Sequence, residues 1–107
     1  MRKRRLSKQL VVVTDRLKQL VQEETQVSAE LDYHRALADD AVRDATVYES
    51  ELHRNAADRA LADVDRFERA LREIDYRREV LLSKRNRLLD RMDSYMDSYM
   101  DSYEDLH

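Results

Sequence analysis

Glycine, proline, cysteine and tryptophan are all missing from this chain, and phenylalanine occurs once. Without glycine there are no Walker-type phosphate loops and no dinucleotide-binding fingerprints, whose tight turns depend on it. Without proline as well, the residues that usually punctuate strands and turns are gone. The lack of cysteine removes disulfides, thiolate nucleophiles and thiol metal ligands, which suits a reducing compartment and makes the cytoplasm the expected location. Long apolar runs are missing too. After Met1-Arg2-Lys3-Arg4-Arg5 the first is Leu10-Val11-Val12-Val13, ended by Thr14-Asp15-Arg16, so neither a signal peptide nor a membrane span is expected.

What is present is charge and helix formers. Charged residues make up 40% of the 107 positions, which leaves little material for a globular core and calls for an elongated or oligomeric protein. Ala, Leu, Arg, Glu and Asp dominate, a composition that reads as long helix. The net charge of -3 hides a polarity. Arg2, Lys3, Arg4, Arg5 and Lys8 crowd one end of the chain, and Asp93, Asp97, Asp101, Glu104 and Asp105 the other.

From Leu6, core-type residues recur at alternating steps of four and three through Leu10, Val13, Leu17, Leu20, Glu24, Val27, Leu31, His34, Ala38, Ala41, Ala45, Tyr48 and Leu52. A second heptad run passes through Ala60, Val64, Phe67, Leu71, Ile74, Arg78, Leu81, Arg85, Leu88, Met92, Tyr95 and Tyr99, out of phase with the first. Such a break is either a stutter in one very long helix or a turn between antiparallel helices. Thr46 with Glu49 matches a capping box, Asn55-Ala56-Ala57-Asp58 looks like a helix start, and Asn55 is the nearest substitute for a glycine C-cap. The expected fold is therefore all-α: an antiparallel two-helix coiled-coil hairpin over residues 1–92, with helices at about 5–47 and 56–92 and the turn within 48–57.

The polar seam positions favour this hairpin over a parallel dimer, in which Glu24 would face Glu24 and Arg78 would face Arg78. Folded antiparallel with Glu24 level with Leu81, the carboxylate lies between Arg78 and Arg85, while Ala38 meets Phe67 and Ala41 meets Val64; a register one heptad shorter is the alternative, but it leaves Arg85 without Glu24. The basic N-terminus then runs beside the acidic tail. Beside the seam, Val21, Val42, Leu61, Leu82, Leu89 and Met96 widen the apolar face toward that of a bundle helix. A lone hairpin would leave this stripe wet. The expectation is a homodimer forming a four-helix assembly, or a stripe that docks a helix of another protein.

Residues 93–107 continue a repeat begun at Met92-Asp93-Ser94-Tyr95. Its strict period of four drifts about 40° per repeat on a helix. The tail is thus an acidic end that either frays or extends the helix as a Tyr/Met ladder of Tyr95, Tyr99 and Tyr103 beside Met92, Met96 and Met100.

Little here points to chemistry. Glu30 with His34, and Glu49 with His53, have i, i+4 spacing that could place two metal ligands on one face, but of the four only His34 lies on the seam. Di-iron bundles use Glu-x-x-His with further inward carboxylates, so no metal or other cofactor is expected. No nucleophile constellation exists, and catalysis is not expected. Arg2, Lys3, Arg4 and Arg5 are candidate contacts for an anion, which makes a nucleic-acid or anionic-membrane-surface binder the alternative function; the acidic tail and negative net charge weigh against nucleic acid.

The stretches Arg35-Ala36-Leu37-Ala38-Asp39-Asp40-Ala41 and Arg85-Asn86-Arg87-Leu88-Leu89-Asp90-Arg91-Met92 resemble small actinobacterial helical-hairpin proteins, a group with no known activity to carry over. The resemblance spans residues 5–92, and the proline expected in that group's turn is absent. In shape alone the expected hairpin is similar to short antiparallel stalk proteins of flagellar and type III export machines, which makes a stalk-like component of a larger assembly a further alternative. The leading expectation is a non-catalytic scaffold or adaptor that works through helix–helix association.

Overall fold

The computed structural model describes residues 2–106, with the side chains of all but 99 and 101–106. Two helices account for nearly all of them: α1 is Arg2–Tyr48 and α2 is Glu51–Leu106. They pack against each other as a hairpin, and the described residues contain no strand. The chain divides into two compact units, Met1–Leu20 with Arg77–His107, and Val21–Tyr76. The first carries both chain ends and the second carries the turn.

The turn is made without glycine. α1 ends in a left-handed residue, Glu49, with φ of 49°, whose N–H donates to the Ala45 carbonyl at 3.1 Å. That is the αL C-cap geometry, normally a glycine position because a Cβ there costs about 1–2 kcal/mol. Ser50 then caps α2: its Oγ accepts from the His53 N–H at 3.1 Å and contacts His53 Nδ1 at 2.5 Å. Glu51 supplies a negative charge in the first turn of α2, where the helix dipole favours it. The rings of Tyr48 and His53 stack across the turn with centroids 4.7 Å apart.

These contacts correct the expected turn chemistry. Thr46 does not cap anything; it lies inside α1 and its hydroxyl donates to the Val42 carbonyl at 3.0 Å. Asn55 lies inside α2, and Leu52 and Tyr48, expected on the seam, are exposed because both flank the turn. Replacing Glu49 by glycine removes the left-handed penalty at the cost of some unfolded-state entropy. The net expectation is a gain of about 1 kcal/mol, read as a higher midpoint in thermal unfolding, whereas Glu49→Ala leaves the midpoint nearly unchanged.

In the unit holding the chain ends, Leu6, Val13 and Leu88 form the buried core, with Leu10, Leu17, Leu81 and Met92 packed on it. Leu20 is also buried in this unit. In the unit holding the turn, the buried residues are Leu31, Ala38, Ala57 and Ile74. Along α1 the deepest positions step by seven from Leu6 to Val13 to Leu20, then by eleven to Leu31, then by seven to Ala38. Seven residues fall about 20° short of two turns and eleven overshoot three by about 20°, so the longer step returns the buried line to its face.

The register also differs from the expected one. The Phe67 ring stacks on His34, with centroids 4.7 Å apart at 28°, and Arg35 reaches Glu68 at 3.3 Å. Phe67 therefore meets α1 about one helical turn nearer the N-terminus than Ala38. The cause is the turn position: closing the hairpin at Glu49 and Ser50, earlier than the centre of the 48–57 window, brings each α2 residue level with an earlier α1 residue.

Candidate helix-association surfaces

Each seam-adjacent apolar residue is placed by the helix that carries it. In the turn unit, Val21, Val42 and Leu61 are 56%, 40% and 49% exposed. In the end unit, Leu89 and Met96 are each 40% exposed and Leu82 is half-buried. Five of the six thus face solvent with their apolar bodies uncovered, and Leu82 belongs partly to the seam. Val11 and Val12, at 59% and 48%, are among the exposed apolar residues that the heptad pattern did not single out. The signal was in the run Leu10-Val11-Val12-Val13, because four consecutive apolar residues sweep about 300° of a helix and cannot all enter one seam.

The polar seam residues lie in different units, Glu24 in the turn unit and Arg78 and Arg85 in the end unit. All three are half-buried. Arg85 Nε is enclosed and has no hydrogen-bond partner among the described residues. That N–H is cut off from water without a partner, an arrangement that costs stability.

The turn unit has a polar frame around its aromatic contact. Asp63 lies 4.0 Å from His34 Nδ1 and 3.5 Å from Arg66, whose guanidinium sits 5.2 Å from the Phe67 ring centroid. Tyr33 meets His34 edge-on at 5.4 Å. The Arg66–Asp63 ion pair is largely exposed and worth at most about 1 kcal/mol, so it orients the groups around the stacked His34 and Phe67 more than it holds the helices together. Glu30 is exposed rather than joined to His34, and His53 is engaged by Ser50, so neither carboxylate–histidine pair assembles a ligand set. Among the described residues no group of three metal-ligating side chains is gathered.

In the end unit, Arg2 and Arg5 share a groove of about 620 Å³ with Asp90, Ser94, Tyr95 and Ser98. The basic end of α1 and the start of the acidic repeat are thus neighbours, yet none of Arg2, Lys3, Arg4, Arg5 or Lys8 is ion-paired with a described carboxylate. The repeat drifts across the helix surface. Met92 packs on the core and Tyr95 lines the groove, while Met96 and Met100 face solvent. The side chains of Tyr99 and Tyr103, the remaining rungs of the tyrosine ladder, lie outside the described residues.

Among the described residues no helix is long and apolar enough to cross a membrane. No family model, no curated protein and no solved structure matches the chain.

Proposed function

We propose that the protein is a non-catalytic scaffold or adaptor that works by helix–helix association, two hairpins pairing through their exposed apolar residues into a four-helix homodimer. The observation that carries this reading is that each unit leaves seam-adjacent apolar residues uncovered, Val21, Val42 and Leu61 in the turn unit and Leu89 and Met96 in the end unit, each at least 40% exposed. Apolar side chains outside a core are stabilised only when something covers them, and a second amphipathic hairpin has the matching surface.

The test is the mass in solution. The double substitution Leu61→Glu and Leu89→Glu places a charge on the stripe in each unit at positions the hairpin does not bury. The expected result is monomer mass in sedimentation with helical circular dichroism retained. An unchanged oligomer would overturn the stripe as interface.

A second reading rests on Arg2, Arg4, Arg5 and Lys8, which together border one surface hollow with Gln9. Such a cluster suits a polyanion, either nucleic acid or an anionic membrane surface, and binding through it would weaken steeply as salt rises.

A further inference from the structure

The outward face of α1 in the end unit carries Val11 and Val12, with Arg4 and Lys8 on their N-terminal side and the exposed Asp15 on their C-terminal side. Val11 and Val12 border a surface hollow with Arg4, Ser7 and Lys8. All but Ser7 of these are exposed, and Val11 and Val12 lie more than about 100° round the helix from buried Leu6 and Val13, so α2 of the same copy does not cover them. The same unit carries a face of the opposite sign. On α2, Leu89, Met96 and Met100 fall within about 40° of one another on the helix surface, with Asp93 and Asp97 along one flank. Leu89, Met96 and Met100 are 40%, 40% and 51% exposed, and both aspartates are exposed. Neither aspartate is ion-paired among the described residues.

Each copy thus carries a valine face edged by Arg4 and Lys8 and a methionine face edged by Asp93 and Asp97. We infer that the acidic, methionine-bearing face of α2 in one copy seats on the basic, valine-bearing face of α1 in a second copy. The occupant is a second copy of this chain because the two faces are complementary in charge and both apolar at the centre. The flexible thioethers of Met96 and Met100 adapt to the two β-branched valines. The aspartates meet Arg4 and Lys8 at the rim, where opposite charges set orientation and on-rate more than affinity. Two copies related by a two-fold axis can make this contact reciprocally, which closes a dimer; a single head-to-tail contact instead leaves one face of each kind free and continues into a ring or a filament. The inference rests on the self-association proposed above: it takes Leu89 and Met96 from the stripe and names Val11 and Val12 as the surface they meet.

The test uses two full-length charge-reversal variants, Arg4→Glu with Lys8→Glu, and Asp93→Lys with Asp97→Lys. Each alone juxtaposes like charges and is expected to weaken association on the order of tenfold or more in sedimentation at low salt, with helicity unchanged. Mixed in equal amounts, the two variants restore complementary pairs, and association should return toward that of the wild type. Both variants associating like wild type, or a mixture of well-folded variants that fails to recover, overturns this contact while leaving the stripe standing. A wild type that is monomeric at all concentrations overturns both. Monomeric wild type captured by phosphatidylcholine–phosphatidylserine vesicles also overturns it and assigns the basic valine face to lipid.

Discussion

Val13→Asp is expected to destabilise the unit holding the chain ends by about 3–5 kcal/mol, because it leaves a carboxylate buried without a partner. Val13 is the most enclosed side chain of the described residues, 1% exposed, and sits in one cluster with Leu6 and Leu88. Small proteins have only about 5–15 kcal/mol of stability in total, so a loss of this size opens the region it touches. Hydrogen exchange separates local from global effects: amides of 2–20 and 77–92 should lose protection first, with 21–76 as the internal reference. Val13→Ala, which removes methyl groups without adding charge, should cost about 2 kcal/mol or less. Equal protection in Val13→Asp and wild type would mean that this core does not hold the helix ends together.

Arg85→Met has the opposite sign. The enclosed Nε of Arg85 lacks a hydrogen-bond partner among the described residues, and a buried donor left unsatisfied costs about 1–3 kcal/mol. Methionine keeps an unbranched stem against the seam and removes the donor. The expected result is a higher urea midpoint with the slope unchanged, equivalent to about 1–2 kcal/mol of added stability. Arg85→Ala is the control: it removes the donor but also the packing of the stem, so it gives little or no gain. A midpoint that falls in Arg85→Met would show that the guanidinium contributes more through its charge than its enclosed N–H costs. A polar seam residue that lowers stability can still select one register over others, and a stabilised Arg85→Met variant with mixed oligomeric states would display that role.

The heptad pattern made the seam readable in advance. Every buried residue of α1, namely Leu6, Val13, Leu20, Leu31 and Ala38, lies on the expected line, as do Ile74 and Leu88 of α2. Ala57 does not, because the second run was read from Ala60 and the turn closes earlier. The turn was hard to read for a definite reason. Its signals are a serine cap with histidine, rather than Glu or Gln, at the third helical position and a glutamate in a conformation that glycine normally takes. Register followed the turn, and its closing at the early edge of the 48–57 window moved Phe67 from Ala38 to His34. The stripe was readable because it follows the same period as the seam. Val11 and Val12 were not, because their exposure depends on which of four adjacent apolar residues the seam takes, and the seam took Val13.

The strained turn places the hairpin close to a different topology. Letting Glu49 and Ser50 adopt helical backbone would join α1 and α2 into one rod, which relieves the left-handed cost of about 1–2 kcal/mol and gives up the serine cap, worth about 1 kcal/mol. The two terms nearly cancel. Two such rods laid antiparallel can remake between chains the packing each hairpin makes within itself, so the choice between folded-back and exchanged forms falls to protein concentration. A glutamate at the position where glycine is usual thus lowers the cost of such an exchange relative to a glycine turn.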